Sequence, residues 1–252
     1  MDPNRFADLT YEGFRELARD ESLSPHEKVG FPDSYRAGKE DAILRDVRAK
    51  LTNLERTGSR VLDVGPGCGG VALGLLALCR DKGHALTLID SAEMLALLPG
   101  EPFAAKLPGR FPEEHPGFLM EHRGRLDAIL VYSVVQYVFR EGNVFAFFDA
   151  CLELLADGGQ LLIGDIPNHS MRKRFFSSAS GVRFHQEFTG TGGTGEAPAV
   201  AHNTLESGHI DDAALLGLVL RARSAGYDAF LLPQAPDLPM ANRREDLLVR
   251  KP

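Results

Sequence analysis

Several things are missing from this chain, and each absence narrows its function. No apolar run approaches the roughly 18 residues of a membrane span, and the opening Met1-Asp2-Pro3-Asn4-Arg5 lacks the zones of a signal peptide. Positive charge is in deficit: 28 Lys and Arg stand against 35 Asp and Glu, a net charge of −7. That balance argues against nucleic acid or an anionic membrane as the main partner. Cysteine is scarce; Cys68, Cys79 and Cys151 are an odd number, without zinc-ligand spacing, in apolar or glycine-rich surroundings. A reduced, cytoplasmic protein without a disulfide framework is expected. There is no H-x-x-x-H and no carboxylate cluster of metal-site type, so no metal is expected, and no internal repeat appears. What is present is ordinary: 44% hydrophobic and 25% charged residues in a chain of 252, which suits an α/β unit with insertions.

The most informative stretch is Ser59-Arg60-Val61-Leu62-Asp63-Val64-Gly65-Pro66-Gly67-Cys68-Gly69-Gly70. A short β-type run breaks into glycines and re-enters a helical pattern at Val71, Ala72, Leu75, Leu76 and Cys79. Glycines at such a turn let a ligand lie against bare backbone, and the following helix offers unpaired N–H groups. A tight turn with no ligand is the plain alternative. Gly65-x-Gly67-x-x-Gly70 fits the dinucleotide fingerprint. Read as Asp63-x-Gly65-x-Gly67-x-Gly69, the same residues resemble motif I of class I S-adenosylmethionine (SAM)-dependent methyltransferases. Asp63 separates the two, because a carboxylate there repels a pyrophosphate but suits a cationic amino group.

A second motif strengthens the resemblance. Ala85-Leu86-Thr87-Leu88-Ile89 reads as a strand ending on Asp90, 20 residues beyond Gly70. A carboxylate at this spacing can accept both hydroxyls of a ribose. Asp90-Ser91-Ala92-Glu93-Met94-Leu95 is similar to the D-x-S-x-x-[ML] pattern of small-molecule methyltransferases. The resemblance covers residues 58–252 and implies SAM as cofactor, with S-adenosylhomocysteine (SAH) as product. It places Asp63, Gly65, Pro66, Gly67 and Gly69 at the methionine end, Asp90 at the ribose, and Ser91 and Met94 by the adenine. Gly109, in the loop Pro108-Gly109-Arg110-Phe111, is expected at the adenine edge, and Ser133 at the exit of the fourth strand. That loop lacks the family's usual acidic residue. Ser133-Val134-Val135-Gln136-Tyr137-Val138 resembles S-x-L-H-H-V, with Gln136 and Tyr137 in place of the histidines. No [DN]-P-P-[YF] signature of nucleobase or glutamine N-methylation occurs.

Organisation follows from periodicity. Thr10 is expected to cap a short helix containing Phe14, Leu17 and Ala18, and Ser34 a longer one through Ile43, Leu44, Val47, Leu51 and Leu54. Residues 1–57 therefore read as a helical extension, serving as a lid over the substrate or as a buttress on the sheet. Strands are expected at 103–107, 126–132, 160–165, 228–232 and 246–250, with a helix at 113–125 interrupted by Pro116-Gly117. Residues 143–156 form the clearest amphipathic helix, ended by Asp157-Gly158-Gly159, and another starts at Asp211 or Asp212 with Gly226 beyond its end. The segment 170–208 reads as an irregular insertion, including a mobile Thr189-to-Gly195 loop. The expected fold is α/β: a Rossmann-like, seven-stranded, mostly parallel sheet with helices on both faces and a closing antiparallel β-hairpin.

Methyl transfer to an oxygen requires a proton acceptor. His169, after the fifth strand, and His185, in the irregular segment, are the candidates, with Asp165 and Asn168 nearby on the same rim. The basic run Met171-Arg172-Lys173-Arg174-Phe175-Phe176 is either a solvated helix face or an anchor for an anionic substrate group. The Gly-Phe-Pro-Asp-Ser-Tyr stretch and this run are similar to methyltransferases of bacterial surface-polysaccharide biosynthesis. The expected partner is thus a small-molecule acceptor, with sugars or sugar nucleotides first. A SAM-binding protein without transferase activity and an NAD-dependent oxidoreductase are the alternatives.

Overall fold

The computed structural model describes residues 9–33, 37–188, 199–204 and 206–252. Seven strands pair into one sheet: β1 (Arg60–Val64), β2 (Ala85–Asp90), β3 (Ala104–Pro108), β4 (Leu126–Tyr132), β5 (Leu155–Pro167), β6 (Asp228–Pro233) and β7 (Arg244–Arg250). Their order is β3-β2-β1-β4-β5-β7-β6. The first five are mutually parallel; β7 enters antiparallel between β5 and β6. The order reverses between β1 and β4, the place where an open α/β sheet leaves a crevice above its strand ends.

Side chains alternate across this sheet, so a central strand must be apolar on both faces. In β4, Ile129 and Val131 join one core while Ala128 and Leu130 join the other. In β7, Leu247 and Val249 face the first and Leu248 the second.

The described residues include eleven helices: α1 (Tyr11–Arg19), α2 (Pro25–Lys28), α3 (Glu40–Lys50), α4 (Gly70–Lys82), α5 (Ala92–Ala96), α6 (Pro116–His122), α7 (Val135–Glu141), α8 (Val144–Leu154), α9 (His169–Phe176), α10 (Ala179–Phe188) and α11 (Asp212–Ser224). The α8 stripe of Phe147, Phe148, Cys151 and Leu152 and the α11 residues Leu215, Leu218 and Val219 cover one sheet face. Ile43 and Val47 of α3 and Leu75, Leu76 and Cys79 of α4 cover the other. All three cysteines are free and buried.

Four expectations change. The longer N-terminal helix begins at Glu40 after Lys39, with no side-chain cap, and Ser34 lies outside the described residues. Pro116 starts α6 rather than interrupting a helix, because a first-turn proline forfeits no helical hydrogen bond. Asp157-Gly158-Gly159 does end α8's run, but as part of β5, where a register shift absorbs it. Much of 170–208 is helical: Asn168 caps α9 by accepting from the Met171 N–H at 3.1 Å, and α10 follows. The Thr189-to-Gly195 loop lies outside the described residues.

Candidate functional site

A cavity of about 420 Å³ lies over the C-terminal ends of β1, β2 and β4. Asp63, Gly65, Pro66, Gly67, Gly69, Asp90, Met94, Gly109 and Ser133 all line it. Ser91 does not; it is buried behind, capping α5 by accepting from the Met94 N–H at 3.2 Å, which fixes Met94 against the cavity.

The glycine turn is shaped by its neighbours. Gly65 has φ 71°, and a Cβ there would come 2.4 Å from Val134 Cγ2. Glycine therefore serves the left-handed conformation and the close approach of the β4 exit together. At the tip of β2, Asp90 Oδ2 accepts from the Gly67 N–H at 3.0 Å and Oδ1 from the Ser91 N–H at 2.6 Å. Each oxygen keeps lone-pair capacity for a second donor. This is the arrangement a ribose diol needs.

The electrostatics favour a positively charged guest. Burial, with a contribution from Asp90, pushes Asp63 up to about 8. Burial likewise pushes Asp90 up to about 6, against the two N–H groups that hold its charged form. Two carboxyls so far above the ordinary range lack a compensating cation. A cavity of this size, mostly apolar with a few convergent polar groups, has the character of a small-molecule site. Its polar groups fit a nucleoside with a cationic, zwitterionic tail, and hence SAM; Arg110 is the one Lys or Arg among the described lining residues, a single cation where a diphosphate would need several.

The roof comes from a region in which no site residue was expected. Tyr11, Phe14, His26, Val29, Phe31 and Glu40 line the cavity from above. Phe14 meets Tyr137 edge-to-face with centroids 4.8 Å apart, and the Tyr11 N–H donates to both Glu141 carboxylate oxygens at 3.2 and 3.3 Å. Arg110 lies 4.5 Å from the Tyr11 ring centroid. Arg15 grips Glu93 of α5 with two bonds of 2.9 Å, and Arg19 reaches the same carboxylate. The Arg15 guanidinium holds Glu93 down to about 2. The readable signal was the box Ser24-x-x-Glu27, which does cap α2, but it marks a helix start and carries no hint of a cavity. The extension thus divides: residues 9–33 and Glu40 at the start of α3 cover the cavity, while the rest of α3 buttresses the sheet.

Below the Phe31 side of the roof, the β4 and β5 exits meet in a polar knot. Ser133 and Asp165 both have left-handed backbones, with φ 60° and 59°, and the Ser133 hydroxyl donates to Asp165. Such conformations cost about 1–3 kcal/mol each outside glycine and persist only where the surroundings enforce them. Here Arg244 Nη1 donates to Asp165 Oδ2 at 2.6 Å, and the Asp165 N–H donates to Asp246 Oδ1 at 2.8 Å. Lys50 of α3 donates to Asp246 Oδ2 at 2.6 Å.

Neither candidate base lines the cavity. His169 donates its backbone N–H to Ile210 at 2.8 Å, pairs its ring with Glu206 and packs edge-on to His209 at 5.1 Å. Burial outweighs the Glu206 charge and lowers its pKa. His185 lies on α10, 6.0 Å from the Phe176 ring. Asn168 is spent on the α9 cap and on Asp212, at 2.8 Å. The basic run is also engaged: Lys173 with Glu206 at 3.0 Å, Arg174 with Asp212, Arg172 over Phe176. The histidine that does line the cavity is His26, its Nδ1 2.9 Å from Asp33 and its Nε2 against Glu40.

No family model and no curated protein matches the sequence. Solved structures do match. The plantazolicin methyltransferase BpumL, crystallised with a substrate analogue and SAH, superposes with TM-score 0.57 at 13% identity, over 96% of each chain. The N-methyltransferase NodS from Bradyrhizobium japonicum WM9, with SAH, gives 0.56 at 13% identity, over 97% of this chain and 100% of that one. The CurJ carbon methyltransferase gives 0.53 at 15% identity, over 100% of this chain and 61% of that one. The chain has the class I methyltransferase fold. Within this fold the antiparallel β6–β7 pair is accounted for, and the cavity lies at the rim where the sheet order reverses.

Proposed function

We propose that this protein is a SAM-dependent methyltransferase acting on a small molecule. The observation that carries the reading is Asp90, presented by two backbone N–H groups at the rim of the cavity that also holds the glycine turn and Asp63. Asp90 takes the ribose, Met94 packs on the adenine, Gly109 borders its edge, and Gly65, Pro66, Gly67 and Gly69 carry the amino-acid tail. Bound SAM supplies a methyl group already activated by its sulfonium. The protein's part is alignment, worth up to roughly 7–11 kcal/mol when two reactants are held in attack geometry. Residues 9–33 serve as a lid that excludes water.

The remaining walls narrow the acceptor. Phe14, Phe31, Val134, Tyr137 and Val138 are apolar or aromatic, with Glu113 and Glu141 the acids among them, and the basic run at 172–174 is outside the cavity and paired. These observations speak against a sugar nucleotide and for a compact, largely apolar acceptor, which also removes the ground for a role in polysaccharide synthesis. With both nitrogens of His26 facing carboxylates, the acceptor is one whose attacking lone pair is available without a protein base. Three buried free cysteines fit a cytoplasmic protein.

Calorimetry with SAH and with NAD tests the reading: SAH binds and NAD does not. Asp90→Asn weakens SAH by about 10–100-fold, since hydrogen bonds to a charged group contribute roughly 1.5–3 kcal/mol. A wild-type protein that gives no heat with SAH sinks it. Gln136 and Tyr137, standing where the resemblance has histidines, favour one second reading, a SAM-binding protein that transfers nothing; SAH formation over a panel of apolar acceptors, amines first, separates the two.

A further inference from the structure

Resting on that reading, we propose that Glu40, carried by the N-terminal extension rather than by the sheet, is the carboxylate that receives the amino group of the cofactor's amino-acid tail. The residue matching the family motif is Asp63, but the geometry points to Glu40 for three reasons.

The first is place. Glu40 lines the cavity together with Asp63 and the whole glycine turn. Its Cγ is 2.5 Å, and its carboxyl carbon 3.4 Å, from where a Cβ on Gly70 would sit. Gly70 is the first residue of α4, so glycine there makes room for this side chain at the end of the turn.

The second is orientation. Glu40 Oε1 is held by His26 Nε2, and His26 is held in turn by Asp33 through Nδ1 at 2.9 Å. The backbone N–H groups of Glu40 and Gly38 also support the carboxylate. A carboxylate has about four acceptor positions, so a further donor from the cavity can be accommodated.

The third is charge. Burial works against the charged form of Glu40, but its N–H and His26 partners outweigh it and hold the group below the ordinary range. Asp63 is displaced the other way, to about 8. His26 is itself raised, because its two carboxylate partners outweigh burial. The Asp33–His26–Glu40 chain therefore carries net negative charge at neutral pH whichever form His26 takes, and it ends in the cavity. A zwitterionic tail needs two kinds of partner. The N–H groups opening α4 suit its carboxylate, and its ammonium requires an ionised acid, which Glu40 already is, whereas Asp63 must first lose a proton.

Calorimetry with two ligands tests this: SAH, which has the amino-acid tail, and 5′-methylthioadenosine, which has the same nucleoside and sulfur without it. Glu40→Gln is expected to weaken SAH by about 10–100-fold, the loss of a charge-assisted hydrogen bond, and to leave methylthioadenosine within about twofold. His26→Gln, which frees Glu40 without removing it, gives a smaller loss confined to SAH, and serves if Glu40→Gln does not fold. Equal weakening of both ligands assigns Glu40 to roof closure alone and overturns the proposal. Unchanged SAH affinity overturns it too, while leaving the methyltransferase reading intact. A wild-type protein that ignores both ligands removes that reading and the proposal with it.

Discussion

The floor and the roof of the cavity are built by different physics. The floor is the C-terminal rim of the sheet, whose central strands β1, β4, β5 and β7 are clamped between two cores of buried side chains. The roof, residues 9–33, rests on two small clusters, Leu9–Leu17–Leu23 and Ala18–Cys68–Met94, together with ion pairs reaching across the surface. Local opening costs least where few apolar contacts must be broken. The difference teaches that the half of the cavity holding the motif residues is set into the cores, while the half that closes it is held by fewer apolar contacts and by surface ion pairs.

The comparison is sharpest when the same substitution is made on both sides. Phe148 is fully buried under β4 and β5, and Phe148→Ala is expected to cost about 3–5 kcal/mol in denaturant unfolding. Phe14 is half-buried and meets Tyr137 at one edge, so Phe14→Ala removes an aromatic pair of roughly 0.5–1.5 kcal/mol plus partial burial. Its larger effect is faster exchange of the cavity's ligand. Equal destabilisation by the two would show that the roof is part of the core.

A second contrast concerns pH. Asp63 has a folded value of about 8, raised from 3.8 chiefly by burial. Its contribution to stability is complete below about pH 4 and is lost as pH climbs through about 8, with a limiting slope near 1.4 kcal/mol per pH unit. The ligand-free protein is therefore expected to melt lower at pH 8 than at pH 5. Asp63→Asn flattens that difference, and a variant with the wild-type profile would show that Asp63 is ionised in the empty site. The carboxylate that anchors the roof behaves differently: Glu93, drawn down to about 2 by Arg15, stays charged through the whole window.

The smallest effect on stability is expected from Glu93→Gln. The pairs it breaks are at the surface, where such contacts contribute little and are screened by salt. Amide exchange over residues 11–19 nevertheless accelerates, while β1 and β2 stay protected. Raising the salt concentration reproduces that change in the wild-type protein and adds nothing in the variant.

How much of this was legible in the sequence follows the same divide. The seven strands were readable to within a few residues, because buried parallel strands are continuous apolar runs and Asp63 and Asp90 punctuate two of them. The floor residues were readable because glycine and acid spacing is local. A lid was one of two readings of the extension, but its residues were not readable: Tyr11, Phe14, His26 and Glu40 become neighbours of the glycine turn only through long-range packing. His26 sits 7 and 14 residues from the carboxylates it bridges, across a break between helices that leaves no periodic trace. His169 looked like a base because a strand fixes its position, but the strand fixes the backbone, and Glu206 and His209 turn the ring elsewhere. The helix at α9 was offered only as one reading of the basic run and α10 was missed, because Phe175, Phe176 and Phe184 stack on one another.

Arg15 and Arg19 both fasten to the one carboxylate of Glu93, on the five-residue helix whose next residue is Met94. One edge of the cover is thus pinned one residue away from the bed it protects. Nature or an engineer wanting a leakier or tighter container has one codon to change, and the sheet beneath would not notice.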